Sequence, residues 1–294
     1  MFLLNSRFYW FVVSILLLLA TDLSAQEKKY LSSMVTLELG RNSVDTEETY
    51  VDLDLGFDNG MHVRSMLGQS QQTVEGQSQV SDSRLIGISS DYRTRFVAGF
   101  DFEYWGNKST LETWTNRLKL GTNTDNWYVQ VTYEDRQSRF YTTSTSSFFK
   151  NRQVPTSAEV DSTGTGLSAS YYGVFPWALT LSYIGYSYAS DPTVLSGQQN
   201  LPALTPSSNV DMPMELESWR RSADLSYSLN WGIVGLSGSQ GESVLDKSIA
   251  SNTAIYLIWN MRNDWSLTLT GGQSDTDNSS ETINYSRVAV SHRW

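Results

Sequence analysis

Apolar and polar residues alternate at period two in run after run of this chain, and clusters of turn-forming residues separate the runs. Val51, Leu53, Leu55 and Phe57 fall on one side of an early run, with Asp52, Asp54 and Gly56 on the other. Alternation of this kind predicts a strand that is apolar on one face and wet on the other. Asp58-Asn59-Gly60 follows, and Asn and Gly accept the positive φ of a tight hairpin turn. Met61, Val63 and Leu67 then resume the apolar row, with His62 and Arg64 opposite. Phe96, Ala98, Phe100, Phe102 and Tyr104 oppose Val97, Gly99, Asp101 and Glu103 in the same way.

The scheme repeats to the end of the chain. Leu118 and Leu120 oppose Arg117 and Lys119, and Trp127, Val129, Val131 and Tyr133 oppose Tyr128, Gln130, Thr132 and Glu134. Further pairs run through Leu167, Leu179, Leu225, Leu236, Ile255 and Leu267. Between Ser251 and Asn260 the facing is ambiguous, because Tyr256 and Ile258 are apolar as well. The pattern predicts about fourteen antiparallel strands, with 12 or 16 also admissible, joined up and down. The turns near Asn59, Tyr92, Thr124, Phe175, Trp231 and Arg262 are tight, whereas Gln69 to Asp82, Gln137 to Val160 and Ser190 to Ser218 read as longer polar loops. Tryptophans sort to strand ends: Trp127, Trp177, Trp231, Trp259, Trp265 and Trp294 at the short turns, Trp105, Trp114 and Trp219 at the long connections. Two aromatic girdles flanking an apolar band suit a strand-built wall crossing a bilayer. A soluble β-sandwich also has one wet face per strand, but gives no reason for this sorting.

The final run, ETINYSRVAVSHRW, places Val288, Val290, His292 and Trp294 on one row and Tyr285, Arg287, Ala289, Ser291 and Arg293 on the other. It resembles the C-terminal strand of Gram-negative outer-membrane β-barrels, although His292 stands where an aromatic or aliphatic residue is usual. The resemblance implies an all-β transmembrane barrel whose last strand closes the ring, with Val288, Val290 and Trp294 as the assembly signal. It further implies barrel-assembly machinery, periplasmic chaperones, outer-membrane lipid and lipopolysaccharide as partners.

Phe8 to Ala20 is an apolar run preceded by Arg7 and followed by Leu23-Ser24-Ala25. This is the pattern of a secretory signal peptide over residues 1–25, shorter than the roughly 20 residues of a spanning helix, leaving 26–294 as the barrel domain. The 294 residues carry a net charge of -10 and no cysteine, which argues against nucleic-acid binding and excludes disulfides and thiolate metal sites. Ten Trp and 16 Tyr within only 39% hydrophobic residues fit a thin apolar coat better than a packed core.

Catalytic chemistry finds little support. The two histidines are His292, on the apolar row, and His62, on the polar row within reach of a carboxylate such as Asp54. Neither accompanies a nucleophile motif or a metal-ligand spacing, so no enzyme activity, metal or cofactor is expected. The candidate functional surface is the lumen, where the polar rows carry Glu38, Asp52, Asp54, Arg64, Asp101, Glu103, Arg117, Lys119, Glu134, Asp224 and Arg287. Charges of both signs line a water-filled pore or pair into a closed wall. Small inward residues at Gly164, Gly166, Ser168 and Ser170, and again at Gly235, Ser237 and Ser239, leave room inside.

The strand pattern begins soon after Tyr30, so no N-terminal plug of the fatty-acid-transporter kind is expected; the chain looks closer to monomeric porin-like channels. Passive passage of small hydrophilic solutes or ions is the first functional reading. A non-conducting barrel that anchors a surface polymer or a secretion component is the second, with Asp211 to Glu217, Phe140-Tyr141 and Phe148-Phe149 as loop contacts. The segment Ser190 to Ser218 holds four of the six prolines and several Leu and Met, which predicts a loop folded back over the mouth.

Overall fold

The computed structural model describes residues 33–57, 59–74, 77–90, 95–107, 110–146, 152–190, 216–261, 264–277 and 282–294. The signal-peptide region, Phe148-Phe149 and residues 191–215 of the long connection lie outside them. Fourteen strands follow in order: β1 Met34–Asn42, β2 Glu47–Gly56, β3 Met61–Val74, β4 Gln77–Ser90, β5 Phe96–Asn107, β6 Leu111–Asn123 and β7 Trp127–Ser146. The second half is β8 Arg152–Val174, β9 Trp177–Tyr188, β10 Glu217–Leu229, β11 Gly232–Ser243, β12 Ile249–Asn260, β13 Trp265–Thr276 and β14 Ile283–Arg293. Each pairs with its sequence neighbours, and β1 pairs antiparallel with β14 from Met34↔Arg293 to Asn42↔Tyr285, closing the barrel. Beyond that register, Ser33 and Trp294 exchange two backbone hydrogen bonds of 3.0 Å, so the last residue fastens the seam.

Closure satisfies every ladder edge, which is the condition for a sheet to cross a hydrocarbon layer. A 12-residue strand such as β5, tilted by about 40°, rises about 30 Å, the thickness of that layer. The outward rows are apolar: Ile86, Phe100, Leu120, Val131, Leu167, Leu181 and Ile255 are all exposed on the outer wall. Ser33, Trp294 and the short turns share one end of the barrel, and the longer connections lie at the other, the far end.

Several segments differ from the sequence expectation. Residues 69–74 and 77–82 are strand, with β3 and β4 paired from Met61↔Ser90 to Val74↔Gln77. Likewise β7 and β8 pair as far as Ser146↔Arg152, so residues 137–146 and 152–160 are strand rather than loop. Polar residues on both faces disguise these extensions, because beyond the apolar layer no alternation is required. The facing of β12 is settled by Tyr256, whose hydroxyl donates to Asp224 inside the barrel (3.0 Å), while Ile255 and Trp259 are exposed outside.

The small inward residues do not simply leave space. Tyr50, Tyr186, Tyr256 and Tyr285 each stand directly opposite an inward glycine, Gly68, Gly164, Gly235 and Gly272. A Cβ on any of the four would fall 2.1–2.7 Å from the facing tyrosine ring. The ring therefore lies over its neighbour's bare backbone, shielding it and fixing the register of the pair. Space attributed to Gly164 and Gly235 is thus filled from the adjacent strand.

Candidate functional site

The inward rows converge on an internal cavity of about 440 Å³, whose charged lining includes Glu38, Asp52, Arg64, Asp101, Glu103 and Glu134. Arg117 on β6 is its hub. Its Nε donates to Glu134 Oε1 at 2.6 Å, and its terminal nitrogens lie 3.4 Å from Glu103 and 3.9 Å from Asp101. Lys119, two residues along the same inward row, holds Asp101 at 2.5 Å. Carboxylates on β5 and β7 thus flank cations on β6, as cross-strand pairing favours.

A second group sits on the seam. Arg287 on β14 lies 3.6 Å from Glu38 on β1 and 3.6 Å from Glu48 on β2. Arg64 on β3 engages Asp52 on β2 at 2.6 Å, and His62 Nδ1 lies 3.0 Å from Asp54 Oδ1. Asp224 on β10 faces Tyr256. All eleven lumen candidates therefore point inward, and β1–β7 carry most of them. The arc from β8 to β13 is mostly neutral, lined by Gly166, Ser168, Ser182 and Ser222.

Other members of the charged belt escape the sequence pattern. Arg136 is 3% exposed and donates through Nη2 to Glu134 (3.2 Å) and to the Tyr186 hydroxyl (2.8 Å), with its guanidinium 4.4 Å from the Tyr186 ring centre. Arg220 also donates to that hydroxyl at 3.1 Å and lies 4.0 Å from buried Glu217. Arg136 and Glu48 continue the inward rows of Glu134 and Asp52, so extending the alternation by one step from Glu134 and by two from Asp52 finds them. Glu217 turns inward only because a bulge between Glu217 and Trp219 shifts the register, which no alternation rule reveals.

Toward the far end the lumen wall becomes apolar. Leu111, Phe140, Val160 and Leu216 are each 1–3% exposed and form one cluster with Trp105, Tyr188, Val244 and Leu245. Leu216 ends the long connection, and its carbonyl accepts from Val244 N at 2.7 Å; the Tyr188 hydroxyl donates to Glu217 O at 2.5 Å. That end of the loop is therefore tucked inside the mouth. Phe140 belongs to this cluster and not to an outer loop surface.

The outer wall carries the remaining candidates. Trp127, Trp177, Trp231, Trp259 and Trp265 are all exposed at the short-turn end. Trp127 packs on Tyr171, Trp177 on Tyr227 and Trp265 on His292, with ring centres 4.5–4.7 Å apart. Trp114 and Trp219 face outward at the far end, beside Arg139 and Arg221. Trp105 does not join them. It stands one residue out of step with Tyr104 and so faces the interior, against the apolar cluster. Val288 and Val290 lie on the outward row of β14, and Val288 is exposed.

An apolar exterior, a charged interior and a closed ring of fourteen antiparallel strands now stand together. The chain is a closed fourteen-stranded antiparallel β-barrel with the build of a transmembrane barrel. No family model and no curated protein matches its sequence. Solved structures match in shape at low identity. The NanC porin is 11% identical over 88% of this chain and 98% of its own, with a TM-score of 0.44. The CymD monoaromatic hydrocarbon channel is 8% identical over 91% and 88%, at 0.49. OccAB1 of Acinetobacter baumannii is 9% identical over 93% and 99%, at 0.47.

Proposed function

We propose that this barrel is a passive outer-membrane channel for small hydrophilic solutes or ions. The carrying observation is the polar cavity inside the apolar-coated wall. Three carboxylates held at 2.6–3.9 Å around the Arg117 guanidinium keep that space wet and set a field across it. Mutual pairing of these charges shapes a narrow path, and the apolar cluster at the far mouth narrows it again, which favours small cargo. His62 serves as a wall residue bonded to Asp54, and no enzymatic role is assigned to the barrel. Export by an N-terminal signal peptide and closure guided by Val288, Val290 and Trp294 belong to the same reading.

The test is conductance. The purified chain reconstituted in planar bilayers is expected to give discrete, voltage-independent steps in potassium chloride. Failure to conduct, with the barrel shown folded by its heat-dependent gel shift, would reject the channel. It would leave the second reading, a partner-binding barrel, which the far-end hairpin of β7 and β8, 20 and 23 residues long, favours as a presenting surface.

A further inference from the structure

Asp224 differs from every other inward carboxylate among the described residues. Each of the others lies 2.5–4.0 Å from a basic side chain, as Glu38 does from Arg287 and Asp52 from Arg64. Asp224 is bonded instead by the Tyr256 hydroxyl, at 3.0 Å. Tyr256 belongs to β12, and its ring crosses β11 to reach Asp224 on β10. Gly235 on β11 lets it pass, since a Cβ there would fall 2.1 Å from the ring. Across the strands Asp224 stands opposite Thr180 on β9 and Ser237 on β11. Ser222 and Ser226 flank it along its own inward row. The nearest cation of that row is Arg220, four residues on and about 13 Å along the strand. That cation is already 4.0 Å from Glu217.

A carboxylate set in a neutral wall keeps its whole field on the path beside it, whereas a paired one has much of its field cancelled by its partner. The hydrogen bond from Tyr256 fixes the Asp224 side chain and leaves its charge in place. Asparagine would accept that bond equally well, so a purely structural position has no use for the charge. With the conducting lumen proposed above as its premise, we propose that Asp224 is a selectivity residue, which makes the channel prefer small cations to anions. It acts from the β8–β13 side of the lumen, where hydroxyls and glycines otherwise line the wall. The seam works in the same direction, because Arg287 serves two carboxylates, Glu38 and Glu48.

The reversal potential in a potassium chloride gradient across a planar bilayer reads this preference directly. The full-length protein should pass potassium ahead of chloride. Asp224→Asn keeps an acceptor for Tyr256 and should lower the potassium-to-chloride permeability ratio severalfold. Asp135→Asn removes the same charge from the exposed outer wall of β7 and should leave the ratio as it was. The chain has no cysteine, so Asp224→Cys gives a single thiol that can be modified in the open channel. A thiosulfonate reagent carrying a sulfonate should restore the cation preference, and one carrying a trimethylammonium group should turn it toward anions. Both shifts are read on one folded channel, so a loss of folding cannot imitate them. A conducting barrel that prefers chloride, or whose ratio ignores the charge at position 224, overturns the role of Asp224 and leaves the channel standing. A thiol that neither reagent reaches overturns it too, since position 224 would then lie off the path. No conductance from a folded barrel rejects the channel itself, and this preference with it.

Discussion

Replacing Glu134 by Gln is the sharpest test of the charged belt. Glu134 is 2% exposed and accepts from Arg117 Nε (2.6 Å), Arg136 Nη2 (3.2 Å) and the Tyr186 hydroxyl (3.0 Å). Glutamine keeps the shape and one acceptor oxygen but removes the charge that holds two guanidiniums. Breaking a buried ion pair from one side costs about 3–5 kcal/mol. Arg117 retains Glu103 at 3.4 Å, so the lower end applies, about 3 kcal/mol or about a hundredfold in the folding equilibrium. Asp52→Asn is the matched control: its partner Arg64 has a half-exposed side chain, and loss of such a pair costs about 1 kcal/mol or less. Urea titration of each variant refolded in lipid vesicles, followed by tryptophan fluorescence, measures both losses. The Glu134→Gln channel should in addition shift its reversal potential in a salt gradient toward anions, because one negative charge has left the lumen. Equal losses for the two variants, or a Glu134→Gln loss below about 1 kcal/mol, would refute the view of Glu134 as the belt's buried anchor.

Phe140→Ala removes the one aromatic among the four buried residues of the apolar cluster; single-channel conductance should rise, with about 3 kcal/mol of stability lost to the cavity, and unchanged conductance would show that this cluster does not constrict the path. Gly68→Val drives a side chain into the Tyr50 ring and should cost about 1–3 kcal/mol by the same urea titration, whereas a neutral result would deny the ring its place over that backbone. Deleting Trp294 should lower the yield of folded barrel in cells while refolding in detergent suffers less, as read by the heat-dependent gel shift. After fractionation the native protein should be recovered with the outer membrane, and recovery as a soluble protein would contradict the localisation proposed for it.

What the sequence by itself determined is the local part of this molecule. Side chains of a strand alternate strictly, so the parity of Val51 and Asp52, or of Phe102 and Glu103, already separates outer wall from lumen, and Asn59-Gly60 already marks a turn. Fourteen strands and the inward facing of all eleven charged candidates were legible for that reason. Only the tertiary structure decided which inward residues meet. The Glu134–Tyr186 contact joins residues 52 apart, and Arg287 meets Glu38 only because β14 closes on β1. Tyr50 covering Gly68, Trp105 turning into the mouth and Glu217 turned in by a bulge are likewise set by cross-strand register. The reach of β7 and β8 beyond the apolar layer was hidden for a related reason. Outside the bilayer neither face must be apolar, so alternation falls silent, and backbone pairing alone carries the strands on.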